Sequence, residues 1–340
     1  MTQLTDQTDS ITGQKFNKSI DLKTNKQRIE FRFPVGQFKT DYQQAIRKLI
    51  GSADIEVTQV IRQHQAKENI KPIKGVKNII AIASGKGGVG KSTMSVMLAK
   101  SLQQLGATVG ILDADIYGPS IPKMLGINQK PESPDQKSFL PIDADGLQTM
   151  SLGYILGEKD PAIWRGAMVT KALMQMVEDT RWSKLDYLIL DLPPGTGDIQ
   201  LTMIQKIPVT AAVLVTTPQD IALLDAQKAL AMFQKVDIPV LGVIENMSTF
   251  ICENCGHEAH IFGQDGGRKM AEEFEVPMLG QMPLNIDVRT HMDNGAPSVL
   301  WHESHELNTK ALKIALRTSQ NLAKLPIKFN LTDSLKLHKI

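Results

Sequence analysis

The chain has 340 residues, room for two domains and for a core that needs no staples. Its 38 Lys and Arg against 36 Asp and Glu leave a formal net charge of +2, which excludes a strongly basic nucleic-acid coat and an acidic solvating tail. Hydrophobic residues at 42 % and charged residues at 22 % fit a soluble globular protein, and 5 % aromatics are too few for a platform that stacks single-stranded bases.

Residues 1–20 are rich in Thr, Gln and Asp and read as a disordered lead without an apolar signal segment. Ile29, Phe31, Phe33 and Val35 then alternate with polar residues, which is strand period. Tyr42, Ala45, Ile46, Leu49 and Ile50 follow at helical spacing, and Ile55 and Val57 restart the alternation. Residues 21–70 are therefore expected to form a small βαβ-like α+β module. It is basic: residues 1–77 hold 14 Lys and Arg against 8 Asp and Glu, and the rest of the chain holds 24 against 28. Residues 71–78, with Pro72 and Gly75, read as a linker. From 79 to 325, apolar runs at 79–83, 109–112, 187–190, 211–215 and 240–244 alternate with helical stretches. That pattern predicts an α/β fold, a mostly parallel sheet covered by helices on both faces. Residues 326–340 read as a tail. No apolar run approaches the roughly 18 residues of a membrane span. Two cysteines form no disulfide framework, and a cytoplasmic location is expected.

Gly85, Lys86, Gly87, Gly88, Val89, Gly90, Lys91 and Ser92 satisfy G-x-x-x-x-G-K-[ST], between a predicted strand and a predicted helix. The glycines let backbone N–H groups converge on phosphate oxygens at a helix N-terminus. Lys91 is expected at the β- and γ-phosphates, Ser92 on Mg²⁺ and Thr93 at the α-phosphate. A second lysine, Lys86, is not needed for phosphate in its own chain. It reads either as a solvated loop charge or as a lysine that crosses a dimer interface to the partner's nucleotide.

Asp191 ends the run 187–190, where a carboxylate holds the Mg²⁺ shell. Asp113 and Asp115 end the run 109–112 beside the loop, at the strand ends where α/β ligands bind. Asp115 is the candidate for orienting the attacking water and Asp113 for supporting the metal; plain turn-capping is the alternative for these aspartates. Pro193 to Asp198 reads as a switch loop next to a γ-phosphate.

Cys252 and Cys255 lie in a loop after the run 240–244. A C-x-x-C pair here is compatible with three readings. A redox pair wants a helix start, which Gly256 and the following polar stretch do not provide. Zinc is completed within one chain if His257 and His260 join as Cys₂His₂. A 4Fe–4S cubane wants four thiolates, which two copies of the chain supply across a two-fold axis.

Together these motifs resemble the Mrp/ApbC iron–sulfur cluster carriers, of the deviant Walker A, MinD-like class of P-loop NTPases. The resemblance covers about residues 75–297 through GKGGVGKS at 85–92, LDADIYGPSIP at 112–122, WRG at 164–166, LDLPPGTGDIQLT at 190–202, VTTPQDIAL at 215–223, ENMS at 245–248, CENCGH at 252–257 and IFG at 261–263. It implies a cytoplasmic homodimer that binds and hydrolyses ATP with Mg²⁺. It also implies a labile 4Fe–4S cluster carried between the C-x-x-C loops, received from an assembly scaffold and handed to apo-proteins. By position, Lys86 resembles the signature lysine, Lys91 the P-loop lysine, Asp115 the switch I aspartate, Asp191 the Walker B aspartate, and Cys252 and Cys255 the bridging ligands. Asn246 matches an asparagine that reads the adenine edge in related ATPases. The WRG motif continues as Ala167-Met168 rather than Gly-Pro-Met, so Arg165 receives no chemistry. The N-terminal unit resembles a MIP18-like module only in its strand–helix–strand pattern, and it has no cysteine.

Two other functions share the phosphate machinery. A ParA/MinD-like positioning ATPase would want a basic surface on the ATPase domain or a C-terminal basic amphipathic helix, and residues 331–340 are too short and weak to anchor a protein. Neither nucleic acid nor membrane is expected as a partner. A zinc-stabilised regulatory NTPase rests on His257 and His260.

Overall fold

A computed structural model describes residues 8–9, 11–16, 19–23, 28–50, 56–67, 70–115, 118–155, 166–303 and 305–328. Trp164 and Arg165, and the amphipathic segment 331–340, lie outside the described residues.

In the N-terminal unit, β1 (Ile20–Lys23) pairs antiparallel with β2 (Arg28–Phe31). Helix α1 (Lys39–Ile50) then returns the chain to β3 (Glu56–Gln59), parallel to β2. The alternation at Ile29, Phe31, Phe33 and Val35 buries all four, and Tyr42 and Ile46 close over them from α1. Strand β1 is an addition to the expected pattern; the IDLK segment carries too little apolar periodicity to announce itself.

Residues 1–20 also differ from the expected disordered lead in their described part, where Asp9, Thr12 and Phe16 are buried. Asp9 Oδ2 accepts from the Tyr42 hydroxyl at 2.7 Å, and the Thr12 hydroxyl lies 2.6 Å from that oxygen and 2.8 Å from Gln320 Oε1. A polar segment is ordered here because its partners arrive from far along the chain.

The large sheet has eight strands. They are β4 (Val76–Ala83), β5 (Val109–Asp113), β6 (Ile142–Ala144), β7 (Leu147–Ser151), β8 (Leu185–Asp191), β9 (Ala211–Thr216), β10 (Val240–Glu245) and, after the small hairpin strands β11 (Phe250–Ile251) and β12 (Glu258–Ala259), β13 (Met278–Gln281). Their spatial order is β13-β10-β9-β4-β8-β5-β7-β6, parallel throughout except for the β6–β7 edge hairpin. The expected fold class is borne out, and all five predicted runs are strands. Strand β4 begins at Val76, inside the expected linker, because Val76 pairs with Leu185.

Helices α2 (Lys91–Gln104), α3 (Ile121–Met124), α4 (Leu152–Ile155), α5 (Gly166–Asp179), α6 (Asp198–Lys206), α7 (Asp220–Lys235), α8 (Gly266–Glu273), α9 (Ile286–Asp293), α10 (Leu300–Glu303) and α11 (His305–Ala323) follow the strands. Two apolar clusters form on the sheet. One runs from Leu188, Leu190 and Leu214 to Leu173 of α5 and Phe233 of α7. The other runs from Ile80, Ile82 and Val213 through Val96 and Leu102 of α2 into Phe31, Phe33 and Tyr42. The N-terminal unit thus shares a core with the sheet. Asn78 stitches the two polar backbones: its Oδ1 accepts from His64 N at 3.0 Å and its Nδ2 donates to Arg62 O at 2.9 Å. Residues 326–328 return to this junction, where Lys328 N donates to Gln63 O at 3.0 Å. No helix of the described residues is long and apolar enough to cross a membrane.

Candidate functional site

The C-terminal ends of β4, β5 and β8 meet at one edge of the sheet, where a ligand has access to several strand ends at once. Directly after β4 the chain wraps through Gly85 to Gly90 and enters α2 at Lys91, with Gly90 capping the helix at φ 82°. Gly90 needs the left-handed region and lies against the Asn246 amide, so both conformation and space demand glycine there. A Cβ on Gly85 would fall on the backbone carbonyl of Asp225 in α7. The first turn of α2 has no side-chain cap, which leaves its N–H groups facing the loop as an anion cradle.

Register sets the acids. Asp113 and Asp191 are directly paired residues of β5 and β8, so their carboxylates project at the same level beside the loop. Asp191 is fully buried and saturated. Its Oδ1 meets Lys91 Nζ at 2.8 Å and the Ser95 hydroxyl at 2.6 Å, and its Oδ2 accepts from the Ser92 hydroxyl at 2.6 Å. Lys91 Nζ also lies 3.9 Å from Asp115 Oδ2. Asp113 accepts from the backbone of Asp115 at 3.1 Å, from the Ser151 hydroxyl at 3.0 Å and from Ile121 N at 3.3 Å. Burial, and after it the Asp191 carboxylate, pushes the Asp113 carboxyl well above the usual carboxylate range; Lys91 and the hydrogen bonds oppose this. A hydroxyl flanked by carboxylates is a hard-oxygen donor set that fits Mg²⁺.

Thus Lys91, Ser92, Asp113, Asp115 and Asp191 come together. Sequence reasoning missed Ser95 and Ser151. Ser95 sits one turn after Ser92 and so shares its face, a signal readable from spacing; Ser151 is delivered only by strand pairing. Thr93 is half-buried in the first turn of α2. Asn246, expected at the adenine edge, here donates its amide to Val89 O at 2.9 Å and braces the loop. Lys86 is half-buried, and its ammonium makes no ion pair or hydrogen bond among the described residues. The Ser84 hydroxyl donates to its carbonyl at 3.0 Å, and Gly195 N donates to Ser84 O at 2.9 Å, so segment 193–197 leans on the phosphate loop.

The cysteines lie elsewhere in character. Strands β11 and β12 form a hairpin whose turn is C-E-N-C-G-H, closed by Cys252 N to His257 O at 3.0 Å and Gly256 N to Cys252 O at 2.8 Å. Cys255 is exposed and Cys252 half-buried. The backbone N–H of Cys255, then that of Asn254, lowers the Cys252 thiol below its ordinary range and favours the thiolate that binds metal. His260 is turned to the Ser248 carbonyl at 3.3 Å. Among the described residues no group of three or more His, Cys, Asp and Glu is set to hold a metal, so the Cys₂His₂ site is not formed.

A glycine-wrapped helix N-terminus, with a lysine clamped between acids from two parallel strands, is the phosphate site of a P-loop NTPase. The profile of the NUBPL iron-transfer P-loop NTPases, a ParA-type family, matches residues 75–319. The chain belongs to that family. It is 56 % identical over 256 residues to the iron-sulfur cluster carrier protein of Escherichia coli K12, covering 75 % of this chain and 69 % of that protein. It is 44 % identical over 271 residues to the iron-sulfur cluster transfer protein NUBPL of Mus musculus, covering 79 % and 84 %. Among solved structures, a nucleotide-binding protein of Archaeoglobus fulgidus in complex with ADP superposes with TM-score 0.60 at 34 % identity, over 68 % of this chain and 92 % of that one. The MinD cell division ATPase of Pyrococcus furiosus shares the fold, with TM-score 0.50 at 20 % identity over 71 % and 97 %.

Proposed function

We propose that this protein binds and hydrolyses ATP and carries a 4Fe–4S cluster, held by Cys252 and Cys255 of two copies, from an assembly scaffold to apo-proteins in the cytoplasm. The observation that carries the reading is the half-complete ligand set. Two thiols sit at the tip of an exposed hairpin on a chain with no other cysteine, and no third ligand stands beside them among the described residues. A second copy supplies the missing pair. The relatives' names and the family support cluster transfer.

Apolar side chains around the hairpin fit a covering partner. Ile251 and Ile286 border one shallow cleft beside it, and both are exposed. Near the start of α7, Ile221 and Leu224 are 67 % and 57 % exposed, apolar surface that a partner can cover. Lys86, whose ammonium makes no ion pair or hydrogen bond among the described residues, suits contact with the nucleotide of the second copy.

In ATP hydrolysis, Lys91 exchanges the Asp191 carboxylate for the β- and γ-phosphates, and the amides of Gly87 to Ser92 hold the chain of phosphates. Asp115 orients the attacking water in line with the γ-phosphorus. Mg²⁺, when bound, neutralises phosphate charge; Ser92, Asp113 and Asp191 are the residues that would hold it. Gly195 and its neighbours, already hydrogen-bonded to the loop, transmit the loss of the γ-phosphate as a switch.

The test is iron, acid-labile sulfide and zinc per chain after anaerobic reconstitution. About two iron and two sulfide per chain are expected, lost together in Cys252→Ala or Cys255→Ala. Near-stoichiometric zinc without sulfide would overturn the carrier reading.

A further inference from the structure

At the opposite edge of the sheet from the phosphate loop lies a cleft of about 490 Å³. Strand β4 separates the two, and its eight residues span about 25 Å. The cleft forms where four segments meet: the chain after β3, the segment leading into β4, the start of β9 and the C-terminal residues 327–328. Its volume is that of a small-molecule site.

Two features of the lining point to one kind of occupant, and a third fixes its wall. First, its charge has a single sign. Lys67, Lys77 and Lys328 line it, and among the described residues no acidic residue does. Lys77 is paired outside the cleft with Asp186 at 2.7 Å, whereas Lys67 and Lys328 are half-buried and make no ion pair among the described residues. Second, the wall is apolar, with Ile70, Ile73, Val76 and Ile327 on it. Third, His64 is 1 % exposed and leaves its Nε2 without a hydrogen-bond partner. Its Nδ1 lies 3.1 Å from the Leu325 carbonyl, which can only accept, so Nδ1 carries the proton and Nε2 presents a buried lone pair. That lone pair is closed off from the cleft, so His64 acts as part of the wall, tying the chain after β3 to the C-terminal segment through Leu325.

We propose that this cleft binds a small amphipathic organic anion, its charged head between Lys67 and Lys328 and its apolar body along Ile70, Ile73 and Ile327. The ligand touches the N-terminal unit, the β4 lead-in and the C-terminal segment at once, so it fastens them together. Carboxylates and phosphate monoesters share the required head-group chemistry.

Two dyes test this on the full chain. 8-Anilinonaphthalene-1-sulfonate and N-phenyl-1-naphthylamine share an apolar body and one N–H, and only the first is an anion. The sulfonate is expected to bind the wild type with one site per chain. Binding should weaken at least about ten-fold in Lys67→Gln/Lys328→Gln, the loss of one charge-assisted hydrogen bond. The neutral dye should bind both proteins alike, and ATP hydrolysis should not change. Octanoate or octyl phosphate should displace the sulfonate dye and raise the melting temperature of the wild type more than that of the double variant; whichever competes identifies the head group. Equal binding of the sulfonate dye by wild type and variant overturns the proposal, because the dye then sits on an apolar surface elsewhere. Failure of both octyl anions to compete also overturns it.

Discussion

The phosphate loop and the cysteine hairpin are both short, glycine-containing turns with two functional side chains of one type, yet they are built in opposite ways. The loop is held by the whole domain: Asp225 crowds Gly85, Asn246 braces Val89, and Ser92, Ser95 and Lys91 converge on Asp191. The turn of the hairpin is closed by two backbone hydrogen bonds of its own, and Cys255 stands in solvent. The first arrangement is complete in one chain and suits chemistry that needs fixed geometry. The second is open on one side, which suits cargo that must be taken on and released.

Removing the lysine is the strongest challenge to that contrast. Lys91→Met leaves the buried Asp191 carboxylate beside Asp113 without a cation, so ATP hydrolysis should fall by at least about 1000-fold and unfolding in urea should come about 3 kcal/mol easier. Iron and sulfide loading at the hairpin should persist; their loss would show that the two regions are not independent. Cys252→Ser makes the converse change. Cluster loading should vanish, while stability should stay within about 0.5 kcal/mol, as for other solvent-facing substitutions.

Ser95→Ala is a finer cut at the loop. It deletes one hydrogen bond to a buried carboxylate and should cost about 2 kcal/mol of stability, with hydrolysis reduced several-fold rather than abolished. An unchanged urea midpoint would mean that Ser95 does not support Asp191. The smallest effect concerns protonation. In Cys255→Ser, iodoacetamide alkylation of Cys252 should follow a titration displaced below the ordinary thiol range, because the backbone N–H groups stabilise the thiolate and only protonation as pH falls removes it. An inflection at the ordinary value would remove the electrostatic distinction between the hairpin and an unstructured C-x-x-C peptide.

The contrast also explains what the sequence revealed. The loop is contiguous, and its acids end apolar runs, so Lys91, Asp113 and Asp191 were legible before any fold was known. Ser151 was not, because only the pairing of β5 with β7 brings it to Asp113. Strand β7 itself reads Leu-Gln-Thr-Met-Ser, too polar to register as a buried run although four of its five residues are buried. The ordering of Asp9 and Thr12 was equally hidden, since Gln320 stands 308 positions from Thr12. His257 and His260 illustrate the opposite case: spacing suggested a metal site, and the hairpin turned His260 toward a backbone carbonyl instead.

The contact between Gly85 and Asp225 has a mechanical consequence. Asp225 is the residue after Leu224 on α7, and the backbone of the phosphate loop has no clearance from it. Loop and helix therefore share one spacing, set by the missing side chain: any larger residue at position 85 would have to push one of them aside.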